Sequence, residues 1–169
     1  GLITSEKGLA LATFYADCVP LYLVDPVKEV IGLAHSGWRG TVAGMGKKMV
    51  ERMHAEFGCD PADIHAAVGP SICQDCYEVS SDVAEEFQKA FAGMNGAEKL
   101  LYQKPEQKAE GKYQLDLWLA NQLWLTEAGI TPGHLEVTNV CTAHNPAYLF
   151  SHRKTNGKRG NLGAFLCLQ

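Results

Sequence analysis

Short apolar runs broken by turn-forming residues open this chain, and they restrict it to a fold that contains sheets. Apolar, β-branched or aromatic side chains dominate three runs separated by Asp-Pro and Gly, at residues 8–15, 21–24 and 29–34. Such runs predict three strands. Helical patterns follow at irregular intervals, which favours an α+β fold with mixed β-sheets layered with helices over a doubly wound parallel sheet.

The rest of the pattern predicts three helices and further strands within one domain, residues 1–169. Apolar residues at helical spacing, including a stripe of Met side chains that we expect to fill the core, predict a helix over residues 41–57, ended by Gly58. Two more helices are predicted over residues 81–91 and 115–128. Strands are predicted at residues 64–68, 135–140, 148–151 and 162–168, and a loop or lid at 93–112.

Composition excludes several classes of function. At 169 residues and 46% hydrophobic content, the chain can form one compact domain. Its net charge of -4 and pI near 5.8 argue against a general nucleic-acid binder, although residues 151–160 are locally cationic and suit a small anionic ligand. The apolar stretches fall far short of the roughly 20 residues that a membrane span requires, so we expect a cytoplasmic protein.

Cysteine content and the first residue add two expectations. Six Cys residues are too few for a disulfide scaffold in a chain of this length, so thiols, metal ligands or packing groups are expected. The chain begins with Gly1 rather than Met, in what resembles the approach to a strand. We therefore expect further residues before Gly1.

Cys18 and His35 are the leading candidates for chemistry, because each lies where an apolar run breaks. Two strands would bring the thiol and the imidazole to one edge of a sheet. A thiolate and a neutral imidazole are good ligands for zinc or copper, and they also form a nucleophile–base pair. A buried free Cys and a solvated His are the structural alternative.

The segment after His35 predicts an anion-binding turn. Gly37 and Gly40 permit a tight connection between a strand and a helix, and Arg39 adds a bidentate donor suited to phosphate. The alternative is a glycine-rich turn in which Arg39 forms a surface ion pair. Spacing alone does not separate the two.

Two further Cys-containing motifs have metal-ligand spacing. Cys73 and Cys76 form a CxxC motif, and Cys141 with His144 could supply the matching half of a zinc site. The halves are far apart in sequence and no second CxxC follows, so packing or incidental thiols are the preferred interpretation.

Six short segments together resemble the YfiH-type laccase-domain family, whose members are described as polyphenol oxidoreductases and as purine nucleoside phosphorylases. The segments are residues 16–20 (ADCVP), 35–40 (HSGWRG), 68–72 (VGPSI), 76–79 (CYEV), 115–117 (LDL) and 150–153 (FSHR). They occur in the family's order. The resemblance implies a mixed α/β fold shared with certain toxin-type cysteine hydrolases.

The resemblance also implies a metal site of one Cys and two His. Carried over by motif, Cys18 and His35 are two of the ligands of a zinc ion, or alternatively of copper. The family's second His belongs to an upstream Gln-Val-His motif that this sequence lacks, which implies that the chain covers the C-terminal two-thirds of a family member. Water, His144 or His152 would otherwise complete the site.

The activity implied by the resemblance is purine nucleoside phosphorolysis. Adenosine, inosine or S-methyl-5'-thioadenosine would react with phosphate, and adenosine deamination would be a side activity. Arg39 and Arg153 would bind phosphate, while Asp17 would either support the metal site and proton transfer or cap the turn. The expected partners are a nucleoside and phosphate, not nucleic acid or a membrane; a homodimer is compatible with the sequence.

Other functions stay open at this stage. Cys18 and His35 could act without metal as the nucleophile and base of a cysteine hydrolase or deamidase. Copper-dependent phenol oxidation is a second alternative, although one Cys–His pair lacks the several His-rich motifs of a multicopper electron-transfer chain. A metal-binding or interaction module without catalysis is a third.

Overall fold

The protein has three β-sheets and four α-helices, which confirms the predicted α+β class. A computed structural model describes residues 1–169, apart from the side chain of Ala109. The main sheet has five strands in the order β1-β4-β3-β5-β9, antiparallel except for the β5–β9 pair. Its strands are β1 (Leu2–Thr4), β3 (Val19–Asp25), β4 (Val30–Ser36), β5 (His65–Val68) and β9 (Leu135–Val137).

Two smaller sheets and the helices surround this main sheet. Strands β2 (Ala10–Tyr15) and β10 (Leu162–Cys167) form an antiparallel ribbon, and β6 (Glu78–Ser80), β8 (Lys112–Leu115) and β7 (Leu101–Tyr102) form a three-stranded sheet. The helices are α1 (Trp38–Val42), α2 (Met45–Phe57), α3 (Ser81–Ala90) and α4 (Leu117–Glu127). No helix that the structure describes has the length and apolar character needed to cross a bilayer.

The main sheet is buried on both faces. On one face Leu21 and Leu23 belong to a large core shared with α2 and α4, and on the other face Ile31 and Leu33 pack against the β2–β10 ribbon. The predicted Met stripe is confirmed as core filling: a Cβ on Gly32 of β4 would lie 3.0 Å from the Met49 Cε. A side chain at residue 32 would therefore require the Met49 side chain to shift by a few tenths of an ångström.

The helix predicted over residues 41–57 is two helices, because the chain turns between them. Gly44 has a left-handed φ of 75° and precedes α2. The Trp124 indole donates a hydrogen bond of 2.7 Å to the Thr41 carbonyl at the end of α1, which fixes this corner against α4. Gly44 was the sequence signal for this break. The apolar residues keep helical spacing across it, so the pattern resembles one continuous helix.

Two other predictions are wrong in part. The strand predicted at residues 148–151 is a turn, in which the Asn145 carbonyl accepts hydrogen bonds from the N–H groups of Tyr148 and Leu149. The predicted loop at 93–112 contains β7 and two 3-10 helices, Ala97–Lys99 and Pro105–Glu110.

Candidate functional site

Strands β3 and β4 bring Cys18 and His35 together where β3 begins and β4 ends. Val19 pairs with Ser36 and Pro20 with His35 in the antiparallel register, so the residue before β3 faces the end of β4. A Cβ on Gly37 would lie 3.0 Å from the Cys18 Sγ and 4.0 Å from the His35 Nε2. The thiol and the imidazole therefore converge on one point, and Gly37 leaves that point free.

Asp17 holds the turn that presents Cys18. The carboxylate of Asp17 is buried and accepts hydrogen bonds from the Thr142 hydroxyl at 2.6 Å and from the backbone N–H of Arg153 at 2.7 Å. The Asp17 carbonyl accepts a third hydrogen bond, from the Ile72 N–H at 3.0 Å. Because both carboxylate oxygens have structural partners, the geometry favours the turn-capping role of Asp17 over proton transfer.

A cavity of about 200 Å³ opens beside Cys18. Its walls combine Cys18 and Arg39 with the apolar or aromatic side chains of Trp38, Ile72, Tyr77 and Leu117. Ligand pockets for drug-sized molecules span roughly 300–1,000 Å³. The cavity therefore encloses one ring system of a ligand, and the rest of a nucleoside would extend beyond it.

Aromatic residues of the cavity wall position two arginine side chains: Arg39, which lines the cavity itself, and Arg153, which lies against Tyr77. The Arg39 guanidinium lies 4.2 Å from the centroid of the Trp38 ring, and that of Arg153 lies 5.1 Å from the Tyr77 ring. Arg153 Nη1 also donates a hydrogen bond of 2.8 Å to the Glu78 carbonyl. Neither arginine forms an ion pair with a carboxylate among the described residues, so both keep donors for an anion.

The charge state of the Cys18–His35 pair follows from its surroundings. Burial raises the pKa of the Cys18 thiol and the Asp17 charge raises it further, while Arg159 lowers it. Burial also lowers the pKa of His35, although the Phe14 backbone acts in the opposite direction. Without a metal, the pair at neutral pH is therefore a protonated thiol beside a neutral imidazole.

Sequence reasoning missed two contributors to this site. The Tyr77 phenol lines the cavity, and burial raises its pKa to about 12, so Tyr77 is a neutral hydrogen-bonding group at pH 7. Arg159 acts on the Cys18 thiol from the cationic segment 151–160. The sequence signal for Tyr77 was its position in the CYEV segment that resembles the family. The sequence signal for Arg159 was only the local positive charge of residues 151–160.

A second group of metal-ligand side chains lies elsewhere, where the structure brings together two motifs that are far apart in sequence. The ligand atoms of Cys73, Cys76, Cys141 and His144 all lie within 4.8 Å of one another. The isolated bridge between Ser71 and Cys141 brings the two motifs together, a long-range pairing that no local pattern predicts. We call these four residues the cysteine cluster; its donor set could hold a metal ion.

The cysteine cluster also removes one candidate ligand from the Cys18–His35 pair. Both ring nitrogens of His144 face cluster thiols, at 3.1 Å from the Cys76 Sγ and 3.9 Å from the Cys73 Sγ. The suggestion that His144 completes the first site is therefore wrong. Within the described part of the chain, no third Cys, His, Asp or Glu forms a compact group of metal donors with Cys18 and His35.

Comparison with known proteins gives the family. The model of the family described as "Multi-copper polyphenol oxidoreductase laccase" matches residues 1–169. The chain belongs to this family. The multi-copper polyphenol oxidoreductase laccase family is the one that the sequence motifs resembled, so that prediction is confirmed.

Relatives within the laccase family have names that point to nucleoside chemistry. The chain is 38% identical to a Bacillus subtilis protein named "Purine nucleoside phosphorylase YlmD" over 98% of this chain and 57% of the relative. It is 37% identical to "Adenosine deaminase RL5", from an unknown prokaryotic organism, over 90% of this chain and 56% of the relative. This chain thus spans less than three-fifths of the length of either curated relative.

A solved structure confirms the fold. The crystal structure of the Bacillus licheniformis hypothetical protein YfiH superposes with a TM-score of 0.92 at 36% identity, covering 99% of this chain and 60% of that one. The mixed sheets with four helices are therefore shared with this solved structure over the part that the chain covers.

Proposed function

We propose that the protein is a purine nucleoside phosphorylase. It would cleave adenosine, inosine or S-methyl-5'-thioadenosine with phosphate, giving the free base and the corresponding sugar 1-phosphate. The observation that carries the proposal is the cavity lined by Cys18, Arg39 and aromatic side chains. His35 converges with Cys18 beside Gly37, and the Arg153 guanidinium lies against the Tyr77 ring at the same cavity wall. The names of the relatives support the same class of reaction.

The side chains at the cavity suit each part of such a reaction. The Trp38 and Tyr77 rings offer flat apolar surfaces for a purine or ribose ring. Arg39 and Arg153 would bind phosphate through charge-assisted hydrogen bonds. A phosphate oxygen would then bond to C1' as the glycosidic bond breaks, and the anion held there would stabilise the positive charge that develops on the sugar.

Cys18 and His35 fit the role of metal ligands. Their donor atoms converge beside Gly37, and a thiol with an imidazole suits zinc and also copper. A zinc ion held by Cys18 and His35 would supply a Lewis acid for water activation, the chemistry that adenosine deamination requires. Cys18 and His35 would fix its position, and the Asp17 hydrogen bonds would hold the Cys18 turn in place.

A metal-free cysteine hydrolase is the second candidate, because the structure does bring the thiol and the imidazole together. An activated nucleophile of this kind needs a thiol whose pKa is lowered towards neutrality. Burial instead raises the pKa of Cys18 and lowers that of His35. The electrostatics therefore argue against the metal-free hydrolase.

Product analysis tests the proposed function. The natural full-length protein is incubated with adenosine, with and without phosphate, and the products are separated by chromatography. We expect adenine and ribose 1-phosphate only when phosphate is present, and inosine independently of phosphate. Adenine release that does not depend on phosphate would contradict phosphorolysis, and no turnover in metal-loaded protein would favour the hydrolase.

Substituting Arg39 with Ala should raise the KM for phosphate by roughly 10- to 100-fold, because a hydrogen bond to a charged group contributes about 1.5–3 kcal/mol. The KM for the nucleoside should change much less. Initial rates over a phosphate series measure both constants. Arg52→Ala is the matched control, since Arg52 lies exposed on α2 and pairs with Glu56. An unchanged phosphate dependence in Arg39→Ala would show that Arg39 does not bind phosphate.

A further inference from the structure

We propose that the cysteine cluster is a structural zinc site that fastens together two walls of the Cys18 cavity. The cluster supplies three sulfur atoms and one imidazole nitrogen, which is the donor set of closed, four-coordinate zinc sites. Four protein ligands leave no position for a substrate. The role of this metal is therefore to hold the chain, and the proposal does not depend on the phosphorylase activity.

The distances between the donor atoms of the cluster are close to those of a site with bound zinc. With Zn–S bonds of about 2.3 Å, sulfur atoms around a tetrahedral ion lie roughly 3.8 Å apart. The four donor atoms already lie within 4.8 Å of one another, so small side-chain rotations would close the site. The six Cys residues are all free thiols in the structure, so no disulfide competes for the cluster sulfurs.

Backbone contacts hold the ligands in place around this point. Cys73 precedes one turn of 3-10 helix, Gln74–Cys76, and Cys76 ends it, so a single turn brings the two thiols close together. The Cys73 N–H points at the Cys141 Sγ at 3.4 Å, a contact that favours a thiolate at Cys141. The Asn145 side chain donates to the Cys141 carbonyl at 2.8 Å and fixes the second turn.

The cluster is directly connected to the Cys18 cavity through neighbouring residues. Ile72 and Tyr77, which line the cavity, adjoin Cys73 and Cys76 in sequence. Thr142 follows Cys141 and donates the hydrogen bond of 2.6 Å to the Asp17 carboxylate. A zinc ion in the cluster would therefore fix the cavity wall and the Asp17 turn relative to each other.

Metal analysis of three variants tests the site. Zinc per chain is measured by mass spectrometry in the full-length protein, in His144→Ala, in His144→Cys and in the double variant Cys18→Ser/His35→Ala. We expect His144→Ala to lose the one equivalent of zinc that the cysteine cluster binds. His144→Cys and the double variant should both retain this equivalent. His144 is exposed, so its replacement should not prevent folding. Cys167→Ser, an exposed thiol on β10, is the control.

Cobalt substitution provides an independent readout. In the double variant, cobalt should give an intense thiolate-to-metal charge-transfer band with tetrahedral d–d bands, and in His144→Cys the charge-transfer band should grow because a fourth thiolate binds. Chelation should lower the Tm of the double variant. Equal zinc content in His144→Ala and the unmodified protein, absence of zinc in the double variant, or a Cys73–Cys76 disulfide would each overturn the proposal.

Discussion

Replacing Cys18 with Ser is expected to lower kcat/KM for adenosine phosphorolysis by at least about 100-fold, which corresponds to about 2.7 kcal/mol of lost transition-state stabilisation. The thiol lies at the cavity, beside the point where the His35 Nε2 also converges. Serine keeps the size of the side chain but replaces a soft sulfur ligand with a hydroxyl, which binds zinc and copper poorly. The measurement is initial rate against adenosine at saturating phosphate.

The stability of Cys18→Ser separates a functional loss from a folding defect. Cys18 is only partly buried, while its neighbour Val19 belongs to the core, so the Tm should change little. His35→Ala should cause a loss of similar size, and the double variant should be little worse than either single variant if the two residues hold one ion. Activity of Cys18→Ser close to that of the Cys167→Ser control would exclude Cys18 from the reaction.

Chain breaks carry enough local information to predict that Cys18 and His35 lie close together, while their roles stay a prediction. Cys18 and His35 each follow or end an apolar run, and antiparallel pairing of β3 with β4 necessarily brings such breaks to one sheet edge. Asp17 was identified with them because it adjoins Cys18. Its positive φ of 77° and its partners Thr142 and Arg153 depend on tertiary contacts more than 120 residues away, so only the structure separates its two candidate roles.

The sequence did not predict the cysteine cluster, because one long-range contact brings its two halves together. A single bridge between Ser71 and Cys141 assembles the cysteine cluster from motifs 68 residues apart, and spacing within each motif says nothing about that pairing. The same holds for residues 148–151, whose apolar and aromatic composition suits a strand. Tyr148 is 89% exposed there, and the backbone forms the turn at Asn145 instead of pairing as a strand.

Asp17→Ala is expected to destabilise the fold by about 3–6 kcal/mol. The substitution leaves the Thr142 hydroxyl and the Arg153 N–H without their acceptor, at about 1–3 kcal/mol for the buried hydroxyl and about 1 kcal/mol for the part-buried N–H. Alanine also tolerates the φ of 77° poorly, which adds roughly 1–2 kcal/mol. Urea denaturation followed by circular dichroism measures the change.

Two matched variants divide this loss between its causes. Asp17→Gly removes the carboxylate but permits the positive φ, so it should be less damaging than Asp17→Ala by the backbone contribution. Asp17→Asn keeps one acceptor oxygen and adopts left-handed conformations readily, so it should be the mildest of the three. A loss below about 1 kcal/mol in Asp17→Ala would show that the two hydrogen bonds do not hold the turn.

The activity of Asp17→Asn distinguishes a positioning residue from a proton-transfer group. An amide cannot exchange protons in the way a carboxylate does. If Asp17 is catalytic, the Asp17→Asn substitution should therefore lower kcat at least about 100-fold and remove the limb of the pH–rate profile that reports the ionisation of Asp17. If Asp17 instead positions the turn through Thr142 and Arg153, the kcat of Asp17→Asn at low temperature should fall by less than about 10-fold. The pH–rate profile of this variant should then keep the shape of the profile of the unmodified protein. The buried carboxylate favours this second outcome, because each of its oxygens already accepts a hydrogen bond that holds the turn.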